Sequence, residues 1–251
     1  MNNPLLKILA FDLETATPFL DGTWDANNPF SLGISCAATL ASPSLPSNIM
    51  FAKEPSSVTG SNTTSIPAPR MDTLDTQSLV RYLMRQRDLL GYKVVTWNGL
   101  GFDFPVLARE TSMLRECQAL ARNHVDMMFQ FFCQTGYLVS LDAVARGMGL
   151  PGKTQGSGKD MPDLWARGEY QKVLDHVAED VAITLEVAHR CQIKGQISWI
   201  NRRGAKHTMP LEGGWLTVEQ AMKLPEPDTS WMKNPLPRSQ FTTWLNYVEE
   251  K

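Results

Sequence analysis

The most constraining feature of the sequence is a near-continuous apolar run from Leu5 to Leu13, broken by one lysine. Such a run is typical of a strand buried on both faces of a sheet, so we expect a central strand here. Asp12 and Glu14 stand two residues apart at its end, and residues spaced in this way project to the same face. Ionised carboxylates beside a buried strand repel each other and require cations or hydrogen-bond donors, although a turn or capping role fits this pair equally well.

Hydrophobic periodicity and turn residues predict the remaining elements. They are strands at Phe30–Leu40, Asn48–Lys53 and Lys93–Trp97, and helices at Asp75–Leu90, Phe104–Asn123, Pro162–Gly168 and Tyr170–Cys191, with Ser140 capping a further helix through Gly147. Loops are predicted at Ala41–Pro46, Pro55–Arg70 and Pro151–Gly158. The order β-β-β-α-β-α-α-α predicts an α/β fold, in which helices flank a mixed sheet and the first three strands are antiparallel.

The composition changes after about Gly195, where tryptophans are scattered among prolines and polar residues. We therefore expect one domain over residues 1–194 and an irregular extension over residues 195–251, with one helix near Thr217–Met222. The tryptophans of this extension, Trp199, Trp215, Trp231 and Trp244, more often anchor such a segment than stack on bases.

Bulk composition is that of a folded, soluble protein, with 43% hydrophobic and 20% charged residues. Its apolar runs are too short for a membrane span and no secretory signal is visible, so a cytoplasmic location without membrane association is expected. The four cysteines are widely spaced, which favours buried free thiols over a zinc site or disulfides. A net charge of −2 argues against tracking along duplex DNA but leaves room for a small nucleic-acid site, where cations neutralise phosphates.

A second acidic element follows the strand Lys93–Trp97, in the segment Asn98-Gly99-Leu100-Gly101-Phe102-Asp103. A turn containing glycine leads here from a strand into a helix and places Asp103 at the helix start. Asp is frequent at such positions because its side chain caps the helix, so capping alone explains this residue when it is considered by itself.

A third element lies on the long C-terminal helix, where His176 and Asp180 are four residues apart and share one face. An exposed polar pair is the alternative interpretation, and it is the better one for the neighbouring Asp175 and Glu179. The apolar positions around His176 and Asp180 mark the buried side of the helix, which places this pair at the border of that side.

Together the three elements resemble the motifs of the DEDD 3′–5′ exonucleases, a branch of the ribonuclease H-like superfamily. The resemblance covers about residues 8–185, and within the superfamily the chain is most similar to the predicted exonucleases related to the proofreading domain of family B DNA polymerases. The matching motifs are Phe11-Asp12-Leu13-Glu14-Thr15, Asn98-Gly99 with Phe102-Asp103, and His176-Val-Ala-Glu-Asp180-Val-x-x-Thr184.

The resemblance implies a ribonuclease H-like fold and removal of nucleoside 5′-monophosphates from the 3′ end of single-stranded DNA or RNA. It also implies two divalent cations, Mg²⁺ or Mn²⁺, which Asp12, Glu14, Asp103 and Asp180 would hold. Leu13 and Thr15 would hold the terminal nucleotide, and Asn98 and Phe102 the next one. For Phe102, packing in the core is equally compatible.

His176 departs from the family pattern. Members that use a histidine as the general base place it five residues before the last aspartate, whereas His176 stands four before Asp180, the spacing of the tyrosine-type members. The residue at the five-residue spacing is Asp175, so His176 is the histidine that fits the role of base. Two other functions are compatible with the motifs, namely a catalytically silent nucleic-acid-binding domain and an endonuclease of the same superfamily.

Overall fold

The computed structural model describes residues 7–19, 23–42, 45–53, 68–154 and 156–248. Within these ranges the strands are β1 Ile8–Thr15, β2 Ile34–Ser42, β3 Leu45–Phe51, β4 Lys93–Thr96, β5 Val125–Asp126, β6 Gln196–Ile200 and β7 Lys206–Pro210. The α-helices are α1 Thr73–Asp88, α2 Asp103–Thr111, α3 Leu114–Asn123, α4 Met127–Thr135, α5 Leu141–Gly147, α6 Met161–Ala166, α7 Tyr170–Lys194, α8 Val218–Ala221 and α9 Ser239–Thr242.

The main sheet has five strands in the order β3-β2-β1-β4-β5. Strands β1, β2 and β3 are antiparallel, and β4 and β5 run parallel to β1. Its central strand β1 is almost wholly buried, as the apolar run predicts, and α7 packs across β1 and β2. The predicted α/β fold class, a mixed sheet flanked by helices with its first three strands antiparallel, is confirmed.

Three elements differ from the sequence prediction between residues 104 and 135. The predicted helix Phe104–Asn123 is two helices, because Ser112 adopts a left-handed conformation (φ 53°) that ends α2 before α3 begins. The strand β5 and the helix α4 were not predicted. A strand of two residues is too short to show periodicity, and α4 has no polar face because nearly all of its residues are buried.

The segment after Gly195 is more regular than expected, because β6 and β7 form an antiparallel hairpin. This hairpin packs closely on α5, where a Cβ atom at Gly147 would come within 2.3 Å of the backbone of Ser198 and Trp199. Trp199, Trp215 and Trp244 are buried, as expected of anchoring residues, whereas Trp231 is 67% exposed. The division into domains at residues 194 and 195 remains a prediction.

Other local predictions can be compared directly with the structure. Ser140 caps α5 by accepting a hydrogen bond from the Ala143 amide, as predicted. The four cysteines are free and buried. Most of the predicted loop Pro55–Arg70 lies outside the described residues. None of the helices in the described ranges combines the length and apolar character needed to cross a membrane.

Candidate active site

The candidate site lies beside the C-terminal half of β1, where the neighbouring strand β4 stops short. β4 pairs with β1 at Ile8, Leu9 and Ala10 and ends at Thr96. The chain then turns through Asn98, whose positive φ of 75° is one that asparagine tolerates better than most residues. The end of β1 is therefore left without a strand partner on this side.

Asp103 takes the place of the missing strand. Its Oδ1 accepts a hydrogen bond of 3.0 Å from the Leu13 amide, and its side chain is buried at the first turn of α2. This contact joins two sequence motifs that lie 90 residues apart. The N-cap position of α2 is Phe102 and has no side-chain capping hydrogen bond, so the capping role that the sequence suggests for Asp103 is not the one seen in the structure.

Asp12, Glu14 and Asp180 line one cavity of about 220 Å³. As the spacing predicts, Asp12 and Glu14 face the same side of β1, and α7 brings Asp180 to them. Leu13, Thr15 and Phe102 line the same cavity, together with Lys159 on its rim. Asp103 lies beneath the cavity and is not part of its lining.

His176 is fully buried and its Nε2 faces two of the acids. Nε2 lies 3.5 Å from Glu14 Oε1 and 3.6 Å from Asp180 Oδ2. Among the described residues, neither ring nitrogen of His176 has a hydrogen-bond partner, and neither does Asp180 Oδ1. Buried polar atoms normally have partners, so these atoms are available to a bound cation or ligand.

Burial and mutual repulsion act on the pKa values of this cluster. Burial raises the pKa of Asp12 well above its ordinary value, and the charges of Asp103, Asp180 and Glu14 raise it further. Burial and the nearby Asp180 have the same effect on the pKa of Glu14. Burial raises the pKa of Asp103 to about 8, although hydrogen bonds from backbone amides oppose the shift. The cluster therefore favours positively charged partners.

Lys153 places a positive charge beside the acidic cluster. Lys153 Nζ donates a 2.5 Å hydrogen bond to Asp180 Oδ2, and both side chains are largely buried. Its charge also lowers the pKa values of Asp12 and Glu14, against the effect of burial. In this structure the ammonium group of Lys153 therefore neutralises part of the acidic cluster.

Two further residues of the site carried no signal in the sequence. Asp126, at the end of β5, accepts hydrogen bonds from the amides of Asn98, Leu100 and Phe129 and so fixes the turn that leads to Asp103. Gly158 lies over the site, where an added Cβ would be 3.9 Å from both Glu14 Oε1 and His176 Nε2. Both contacts join distant segments, which a single sequence does not reveal.

The predicted nucleotide-binding residues divide between two depressions. Phe102 is half-buried in the acidic cavity and packs against Phe19 and Trp24, with ring centroids 5.9 and 5.1 Å away. Asn98 lines an adjoining groove of about 630 Å³ instead. The two depressions share Gly158 in their lining, so they adjoin each other.

The acidic cluster fits divalent cations. Glu14, His176 and Asp180 each offer a ligand atom, and these atoms lie within 4.8 Å of one another. Carboxylate oxygens predominate, which suits the hard cations Mg²⁺ and Mn²⁺. Two further observations fit a cation here. Among the described residues Asp180 Oδ1 has no hydrogen-bond partner, and the ammonium group of Lys153 already places a positive charge beside Asp180.

Comparison with known proteins confirms the resemblance found in the motifs. Residues 116–202 match the family described as "Predicted 3'-5' exonuclease related to the exonuclease domain of PolB", and the match supports a nuclease role. The matched residues contain His176 and Asp180, whereas Asp12, Glu14 and Asp103 precede them. A search of curated proteins finds no match to this chain.

One solved structure with a similar fold is the family B DNA polymerase from the hyperthermophilic archaeon Pyrobaculum calidifontis. The similarity covers 75% of this chain at 18% sequence identity, with a TM-score of 0.48. The matched part makes up 25% of the polymerase chain, so this chain spans about a quarter of that protein.

Proposed function

We propose that this protein is a 3′–5′ exonuclease that hydrolyses the terminal phosphodiester bond of a nucleic acid and releases nucleoside 5′-monophosphates. The observation that carries the proposal is the convergence of Asp12, Glu14, Asp103 and Asp180 from three separate sequence motifs at one end of β1. Four acids crowded in this way lower each other's tendency to ionise, so the arrangement is costly unless cations bind it.

In this proposal Asp12, Glu14 and Asp180 hold two divalent cations at the cavity, and Asp103 contributes its charge from below. When bound, such cations lower the pKa of water and stabilise the charge that develops in a phosphoryl displacement. With cations at the cavity, Lys153 would no longer be needed to neutralise Asp180, and its ammonium group would be available to a substrate phosphate. Leu13, Thr15 and Phe102 hold the terminal nucleotide in the cavity that they line.

His176 is proposed as the general base. Burial lowers the pKa of His176, so the imidazole is neutral at pH 7 and has a lone pair to accept a proton. Its Nε2 faces Glu14 and Asp180, so a proton received there stays beside two carboxylates that stabilise the imidazolium. His176 holds this position from the four-residue spacing, because residues four apart on a helix share a face.

The test is digestion of a 5′-labelled single-stranded oligonucleotide with Mg²⁺, with Mn²⁺ and with EDTA. We expect metal-dependent shortening by the natural protein and its complete loss in EDTA. The matched variants are Asp180→Ala and Asp175→Ala, which each remove one carboxylate from α7. Asp175 is exposed and bonds only to Gln171 among the described residues, so Asp175→Ala is expected to retain activity. Cleavage that persists in EDTA, or that survives Asp180→Ala, contradicts the proposal.

A further inference from the structure

The β6–β7 hairpin carries concentrated positive charge on a chain whose net charge is −2. Arg202, Arg203 and Lys206 are exposed at its tip, and residues 194–211 contain no aspartate or glutamate. Within the described parts of the chain, none of these three side chains has an ion-pair partner. The hairpin tip therefore presents cations that no carboxylate within the described ranges neutralises.

Aromatic rings lie next to these cations. The exposed ring of His207 stacks on Trp199 at an interplanar angle of 19° and a centroid distance of 5.4 Å. Tyr137 lies 6.5 Å from Trp199, and on its other side the exposed Trp231 packs edge-on at 6.2 Å. Cations interleaved with accessible planar rings are characteristic of surfaces that bind single-stranded nucleic acids, because phosphates meet the cations and bases stack on the rings.

Two adjoining depressions lie between this surface and the candidate active site. The groove that adjoins the acidic cavity is lined by Val139 and Ser140, and the same two residues line a depression of about 280 Å³ under the hairpin. Trp199 and Arg202 form the far side of that depression. The acidic cavity, the groove and the depression under the hairpin therefore adjoin one another along the surface.

We propose that the β6–β7 hairpin binds the single-stranded nucleic acid that leads to the 3′ end in the acidic cavity. The proposal deepens the function proposed above and rests on it for the direction of the strand. Arg202, Arg203 and Lys206 neutralise backbone phosphates, and His207 and Trp231 offer faces for the bases. Phosphate contacts and stacking do not depend on base identity, so binding is expected to be insensitive to sequence.

Fluorescence anisotropy tests the proposal with a labelled oligothymidylate in EDTA, where no cleavage is expected. The variant is Arg202→Ala/Arg203→Ala/Lys206→Ala, and its control is Arg81→Ala/Arg85→Ala/Arg115→Ala, which removes three exposed cations from α1 and α3. We expect the hairpin variant to bind at least about tenfold more weakly. Its plot of log K against log salt should be shallower by about 2, since each phosphate contact to a single strand contributes roughly 0.7. The control should bind as the natural protein does.

Equal affinity and equal salt dependence for the hairpin variant and the natural protein would overturn the proposal. A second measurement separates it from the proposed catalysis, namely Mg²⁺-dependent hydrolysis of a dinucleotide too short to reach the hairpin. We expect the hairpin variant to hydrolyse the dinucleotide normally and to show a raised KM for a long strand. An equal loss on both substrates would assign the hairpin a structural role and overturn the proposal. Absence of hydrolysis by the natural protein would refute the exonuclease function, while the anisotropy result would still decide whether the hairpin binds the strand.

Discussion

Asp12 is a buried acid of the candidate site whose ionised form is unfavourable without cations. Burial and three neighbouring carboxylates raise its pKa, so its ionised form is disfavoured without cations. We predict that Asp12→Ala abolishes nuclease activity and leaves the free energy of unfolding in EDTA unchanged or higher. Nuclease assays and urea unfolding of the same preparations check this prediction. Cleavage at the natural rate in Mg²⁺, once contaminating nucleases are excluded, would refute the role of Asp12.

The proposed role of His176 predicts how the cleavage rate depends on pH. If Nε2 accepts the proton, His176→Ala lowers the rate by about 10²–10⁴-fold while cation binding largely remains. Burial lowers the pKa of His176, and the base acts only when neutral, so the natural rate should fall as pH decreases through a value below 6.5. Rate profiles between pH 5 and 8 test this point. A change of less than about threefold, with the same profile in the variant, would assign His176 a structural role.

Lys153 and Gly158 reach the site from the segment between α5 and α6, in which Gly158 begins a short 3₁₀-helix, Gly158–Asp160. We predict that Lys153→Ala lowers the free energy of unfolding in EDTA by about 1–2 kcal/mol, since a largely buried carboxylate loses its cation. Excess Mg²⁺ should remove most of this difference.

The control for Lys153→Ala is Lys172→Ala. It removes an exposed lysine that bonds to Glu169 at the start of α7. Exposed ion pairs contribute little, so this variant should unfold as the natural protein does in both conditions. If Lys153→Ala also leaves the free energy of unfolding in EDTA unchanged, the ammonium group does not neutralise the cluster in solution.

The elements also show what the sequence predicts and what it does not. Long patterned segments such as β1 and α7 are predicted closely, because a continuous apolar run marks β1 and helical periodicity extends over many residues of α7. Asp12, Glu14, Asp103, His176 and Asp180 are proposed as one site from their motifs, and the structure brings them together. The role of Asp126 could not be predicted, because its three amide partners depend on a strand of two residues.

The C-terminal segment packs against the turn that leads to Asp103 and so helps to hold the candidate site in place. The indole of the buried Trp244 donates a 3.1 Å hydrogen bond to the Leu100 carbonyl, in the turn that leads to Asp103. Phe241 packs beside it, where a Cβ atom at Gly101 would come within 3.2 Å of its ring. The composition of this segment predicts anchoring tryptophans, but the turn on which they pack could not be predicted.

We predict that Trp244→Ala lowers the free energy of unfolding by about 3–5 kcal/mol, because it leaves a large cavity and a carbonyl without its donor. Trp231→Ala is the matched control, since it removes an exposed tryptophan of the same segment and should change stability by less than about 0.5 kcal/mol. Urea unfolding of both variants checks the pair. Equal stability of the two variants would show that the segment does not support the fold.

The polarity of digestion tests the proposed exonuclease action from the 3′ end. One single-stranded oligonucleotide is labelled at the 5′ end in one reaction and at the 3′ end in another, and both are incubated with the protein and Mg²⁺. We expect the 3′ label to appear as a nucleoside 5′-monophosphate at the earliest times, while the 5′-labelled strand shortens one nucleotide at a time. Early release of the 3′ label within longer fragments would instead indicate internal cleavage and contradict exonuclease action from the 3′ end.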